Sequence, residues 1–243
     1  MKLSNWALMF FNIIYRSSLY LLLILLVFSC TPLKKYSPED RAWADPEIEN
    51  FEALDAAEVY PDDAILFTGS SSIRLWKTLE ADMQPYPVIQ RGYGGAHFRD
   101  LVFFTDRILA DHKLSMVVCF VANDISGSPQ DGTPNEILGL FKLFVKQVRE
   151  KHPQIPLLQI AITPTKSRWK YWSEINQVNA LIQAYCNKTE NLYFINTVPT
   201  FLTANSEPKP EWFIQDQLHL NTKGYEVWSK LIKDEIKRVK ALD

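Results

Sequence analysis

Four short segments of the chain carry side chains of the kinds that move an acyl group from one oxygen to another: FTGSSS at 67–72, RGYGGAH at 91–97, VAND at 121–124 and DQLH at 216–219. Acyl transfer needs a hydroxyl nucleophile, a base that takes its proton, a carboxylate that orients the base, and N–H donors for the developing oxyanion. A serine cluster, a glycine pair, an asparagine and an Asp-x-x-His supply those parts, one set per segment. Taken singly, each has a plainer explanation. GSSS is a helix N-cap, Gly94-Gly95 a tight turn, Asn123 a loop side chain capping backbone groups, and a lone histidine a surface or capping residue. Their company is what points to chemistry.

The elements between them must bring the four segments together. Apolar runs AILFT at 64–68, PVIQ at 87–90, SMVVCFV at 115–121, LLQIAIT at 157–163 and NLYFINT at 191–197 alternate with longer segments of helical period. The runs are continuously apolar, which marks strands buried on both faces of a parallel sheet between helix layers. Helices are expected at 97–111, 134–151 and 173–187, and a last one from about Lys223 to Val239 with its N-cap at Asn221-Thr222. Ligands of such sheets bind beyond the carboxyl ends of the strands. Three of the four segments follow directly on apolar runs, and the fourth lies in the last β/α connection.

With these residues in place, the chain from about Ala64 to Tyr225 resembles the SGNH (GDSL-like) hydrolases, in the order and spacing of that family's four blocks. The nearest branch is similar to platelet-activating-factor acetylhydrolase and bacterial GDSL-like lipoproteins. The resemblance implies a flavodoxin-like three-layer α/β/α sandwich with about five parallel strands, and ester hydrolysis without a metal or cofactor. Aligning Gly69 with the glycine of the family's GDS places the nucleophile at Ser71, and the choice among Ser70, Ser71 and Ser72 rests on that alignment. His219 is then the general base and Asp216 its orienting carboxylate. The Ser71 N–H, the Gly95 N–H and the Asn123 side chain are the implied oxyanion hole. Ser70 stands where the family has aspartate, and Val121-Ala122 replace the usual pair before the asparagine, which bears on the width of the acyl pocket. Arg168 and Trp169, in TPTKSRWKYW, and Tyr93 are expected at a substrate rim, whereas Trp76 is expected in the core.

Composition narrows the partners. Of 243 residues 47% are hydrophobic and 22% charged, with a net charge of -2, so one sizeable core is expected and no basic stripe for nucleic acid. Lys2 and Arg16 precede an apolar run, Leu19 to Phe28, that is short for a ~30 Å hydrocarbon layer. It ends Val27-Phe28-Ser29-Cys30, similar to a bacterial lipobox. The expected organisation is a lipoprotein signal peptide at 1–29, a tether at 30–47 that begins with lipid-bearing Cys30, and a hydrolase domain at 48–243. That would hold the domain on a membrane of the cell envelope, facing a small-molecule, glycan or lipid ester. An uncleaved anchor helix over Trp6 to Phe28 is the competing expectation. For function, the alternatives are an inactive SGNH-type domain that binds envelope glycan, or a flavodoxin-like nucleotide-binding module whose serine loop cradles a phosphate.

Overall fold

The computed structural model describes residues 41–242 together with Leu33, Tyr36, Ser37 and Glu39. Two units are distinguished, residues 1–37 and residues 38–243. Cys30 and the expected signal peptide lie outside the described residues. Among the described residues no helix is long and apolar enough to cross a membrane.

Five strands, β1 (Ala64–Gly69), β2 (Val88–Gly92), β3 (Leu114–Phe120), β4 (Leu157–Ile160) and β5 (Leu192–Ile195), form one sheet in the order β2-β1-β3-β4-β5. Every pairing is parallel. This is the flavodoxin-like order, and its reversal of strand order falls between β1 and β3. Each expected strand is present, and the two faces divide the side chains by period two. Ile65, Phe67, Met116 and Val118 point into one cluster with Trp76, Trp228, Ile232 and Ile236. Leu66, Val117 and Cys119 are equally buried but lie outside that cluster, on the opposite face.

The helices are α1 (Asp45–Ala57), α2 (Ser71–Arg74), α3 (Leu79–Met83), α4 (Phe98–Leu109), α5 (Pro134–Lys151), α6 (Trp172–Cys186), α7 (Val198–Phe201) and α8 (Thr222–Lys240). On one face of the sheet α1, α4, α5 and α6 pack in sequence, and on the other α8 lies against α3 and β5. Where the sequence carries caps the ends are sharp. Thr133 and Glu136 form a capping box on α5, and the Asn221 carboxamide accepts from Gly224 N–H at 3.0 Å to start α8.

One boundary moves. The expected tether ran to residue 47, but a 3-10 turn at Ala42–Ala44 leads directly into α1, which begins at Asp45 with Pro46 in its first turn. Ala44, Ile48 and Phe51 are buried, and Arg107 of α4 pairs with Asp45 and Glu52. The apolar positions of α1 are few and its remaining face is acidic, so its sequence looks like a polar leader until α4 is there to cover it.

Candidate active site

Ser71 and Asn123 lie on the loops that leave β1 and β3, the two strands at the switch in sheet order. The exit from β1 is set by Gly69, whose φ of +124° puts its backbone against β3; a Cβ there would lie 1.9 Å from the Phe120 carbonyl oxygen. No other residue type fits that approach. The next N–H, on Ser70, donates to the same Phe120 oxygen at 2.8 Å. Ser70 is thereby buried, Ser72 is also buried, and Ser71 at the head of α2 faces the cleft. As first residue of a helix, Ser71 has a backbone N–H without an intrahelical acceptor.

The Ser71 hydroxyl lies 2.9 Å from Nε2 of His219, and Nδ1 of His219 lies 2.7 Å from Oδ2 of Asp216. Both partners sit in the turn before α8. Gln217 takes φ +54°, reversing the chain between carboxylate and imidazole. The second Asp216 oxygen accepts the backbone N–H groups of Leu218 and His219 at 2.9 and 3.0 Å. Partial burial pushes the Asp216 carboxyl up, but the His219 side chain and these two N–H donors outweigh it, so its pKa falls below the ordinary value. The turn itself is tied down by Asn221, whose Nδ2 donates to the carbonyls of Glu211 and Phe213 while its Oδ1 caps α8. From α8, Tyr225 donates to the Ser72 carbonyl at 2.8 Å and stacks on Trp76, binding the histidine helix to the serine helix.

Asn123 and Arg168 complete one wall. Asn123 Nδ2 donates one hydrogen to the Ala96 carbonyl at 2.9 Å, and its Oδ1 accepts from Arg168 at 2.6 Å. Arg168 also donates to the Ala122 carbonyl. The pocket they enclose is a narrow cavity of about 20 Å³, lined by Ser70, Ser71, Ser72, Asn123, Thr163, Thr165, Arg168, Leu218, His219 and apolar neighbours. Next to Asn123, the buried Asp124 carboxylate accepts the Phe98 N–H with both oxygens at 3.1 Å, capping α4. Desolvation pushes its pKa up to about 6, against the opposing pull of His97 and that N–H.

The expected residues therefore separate. Ser71, His219, Asp216 and Asn123 converge. Gly95 is exposed with φ +75° and lies beside the pocket through its neighbour Ala96, not in its lining. Tyr93 is no rim residue: it is fully buried, its ring edge-on to Phe104, because it follows directly on the buried end of β2. Trp169 stacks on Trp172 at 5.6 Å and 17°, the i, i+3 packing pair that its spacing allows. Trp76 is fully buried, as expected. Val121 is buried and does not narrow the pocket; Ala122 is the residue that reaches it. Two side chains escaped sequence reasoning. Asn221 was read only as a cap, and Arg168 was expected to face substrate when its guanidinium turns inward. His97 also has a carboxylate partner, Asp100 at 2.9 Å, in the reverse order His-x-x-Asp, where the pair forms the capping box of α4. Among the described residues no group of three or more His, Cys, Asp or Glu side chains converges as a metal site would.

Residues 60–227 match the model of the GDSL-like lipase/acylhydrolase family. Among curated proteins none matches the chain. Solved structures with the same fold include a protein from Streptococcus pneumonia provisionally named a platelet activating factor, 22% identical, with a TM-score of 0.70 over 79% of this chain and 91% of that one. A provisionally named acylhydrolase from Bacteroides fragilis is 20% identical, with a TM-score of 0.69 over 79% of this chain and 96% of that one. A catalytic mutant of Axe2, an acetylxylan esterase from Geobacillus stearothermophilus, is 14% identical, with a TM-score of 0.60 over 73% and 95%. At these identities the likeness is one of fold.

Proposed function

The chain belongs to the GDSL-like lipase/acylhydrolase family, and on that premise we propose that it is a serine esterase acting through Ser71, His219 and Asp216. The observation that carries the reading is the unbroken line from hydroxyl to imidazole to carboxylate, at 2.9 and 2.7 Å. Ser71 Oγ attacks the ester carbonyl carbon while its proton passes to His219 Nε2. The carbonyl π bond opens to an oxyanion, which the Ser71 N–H and the second hydrogen of Asn123 Nδ2 receive. Gly95 N–H is assigned as third donor on the strength of the family pattern alone. When the oxyanion collapses, the bond to the leaving oxygen breaks and that oxygen takes the proton from His219. Water then repeats the sequence on the acyl-Ser71 ester and releases the carboxylic acid. Asp216 stays ionised throughout, holding Nδ1–H and stabilising the imidazolium.

The cavity is small, about 20 Å³, which supports a short acyl group, and acetyl esters of glycans or small molecules are the substrate class proposed ahead of long lipids. The lipobox-like Val27-Phe28-Ser29-Cys30 supports a second part of the proposal, attachment to an envelope membrane through a lipid on Cys30. Lipid labelling of the full chain and of Cys30→Ala tests it, with label lost in the variant.

A p-nitrophenyl ester series from acetate upwards, run on the wild-type protein and on Ser71→Ala, tests the activity. Hydrolysis of acetate that falls by at least about 10³-fold in the variant supports the assignment. Equal activity in both proteins would sink it.

A further inference from the structure

The geometry points to Arg168 as a positioning residue that sets the Asn123 carboxamide for the oxyanion and does not touch substrate itself. The inference rests on the esterase reading. Arg168 leaves the loop after β4, a different strand from the one that presents Asn123, so nothing local places the two side chains together. Its two terminal nitrogens are divided between neighbouring acceptors on the β3 loop: one donates to the Ala122 carbonyl and the other to Asn123 Oδ1 at 2.6 Å. A carboxamide has an accepting end and a donating end of nearly equal size, so its hydrogen-bond partners decide which one faces the oxyanion. A guanidinium accepts no hydrogen bond, so Arg168 forces Oδ1 toward itself and Nδ2 away. The Ala96 carbonyl then takes one Nδ2 hydrogen at 2.9 Å, which fixes the rotation and leaves the other directed into the pocket.

The electrostatics favour the same role. Arg168 lines the wall of a half-enclosed pocket, and the acidic groups that act on its charge are Asp131 and Asp124. Desolvation lowers its pKa, against the opposing pull of Asp131 and Asp124. A cation on the amide oxygen draws electron density from the amide and makes its N–H groups stronger donors. That benefit is realised where negative charge develops, in the transition state, and little is gained in the ester ground state.

The test is a double-mutant cycle with Asn123→Ala, following p-nitrophenyl acetate hydrolysis. Arg168→Met is expected to lower kcat by about 10- to 100-fold with KM within about twofold, and to add less than about threefold in the Asn123→Ala background. Arg168→Lys keeps the charge but cannot bridge both acceptors, and is expected to fall between Met and wild type. If the Met variant does not fold, the same cycle run with Lys decides the matter. An equal fold-loss in both backgrounds, or a rise in KM with kcat unchanged, overturns the inference and makes Arg168 a substrate contact. Wild-type hydrolysis indifferent to Ser71→Ala would instead overturn the esterase reading beneath it.

Discussion

At the scale of single residues, the site works by leaving each partner one thing to do. Asp216 has both oxygens engaged, one on the imidazole and one on two backbone N–H groups. Its carboxyl is half-exposed, and it is these bonds, not burial, that keep it ionised. Because its folded pKa is depressed, the associated stability is present above the ordinary carboxylate range and is lost as pH falls through the folded value. Asp216→Asn keeps an acceptor for the backbone N–H groups but permits the imidazole the wrong tautomer. We expect it to fold with thermal stability near neutral pH slightly below wild type, since the ionised carboxylate's contribution is gone, and to lose about 10²-fold or more in kcat, read with the same chromogenic ester. A loss confined to KM would argue against the role. The neighbouring serines provide the converse case. Ser70→Ala and Ser72→Ala remove hydroxyls that do not meet His219, and each is expected to retain activity within about tenfold; loss in Ser70→Ala equal to that in Ser71→Ala would move the nucleophile.

At the scale of elements, strand ends and helix starts aim those side chains. Gly69 is the tightest point, since an added Cβ meets the backbone of β3 and requires a φ that side chains resist. Gly69→Ala is expected to cost at least about 3 kcal/mol in urea unfolding, because neither partner is a movable side chain. The α4 cap offers a pH-dependent counterpart. The Asp124 pKa is raised from 3.8 to about 6, so the folded form holds its proton more tightly than the unfolded chain does. Its contribution to stability is therefore full below about pH 4 and declines as pH rises to about 6, by about 3 kcal/mol at the outside. Asp124→Asn removes that decline. The stability of the variant relative to wild type is expected to improve between pH 4 and 7, and a difference independent of pH would contradict it. Much of this scale was legible in the sequence. Continuous apolar runs located all five strands, and α4, α5, α6 and α8 fell within a residue or two of their expected ends, because period and caps are local properties. The order of the sheet came with the family resemblance, not with the runs. The short helices α3 and α7 went unseen, being about a single turn each with no period to read, and α2 was visible only as a helix start at the serines after Gly69. The direction of Arg168 was also hidden, because it depends on two carbonyl-type acceptors 45 and 46 residues away in sequence.

At the scale of the whole molecule, the question is where the working unit begins. The sequence places a polar leader up to residue 47, whereas the folded unit runs from residue 38 and includes the turn and helix that start at Ala42 and Asp45. Ala44 is wholly buried, Asp45 meets Arg107 at 3.1 Å, and the Trp43 ring lies against Gly95 and Tyr93. The Asp45 pair is partly exposed and contributes little by itself. Losing the buried alanine, the first turn of α1 and the Trp43 edge beside Gly95 together is expected to cost about 1–3 kcal/mol. Two fragments separate the readings: one beginning at Pro38 and one beginning at Ile48. The longer should unfold at the temperature of the full chain and hydrolyse acetate esters at its rate, since every residue of the site lies within it. The shorter should melt several degrees lower and lose activity, because Trp43 packs on Tyr93 at the start of the loop that joins Asn123 through Ala96, and losing that contact loosens the carboxamide's anchor. Equal stability and rate in both fragments would return residues 38–47 to the status of a tether and leave Trp43 without a part in the site.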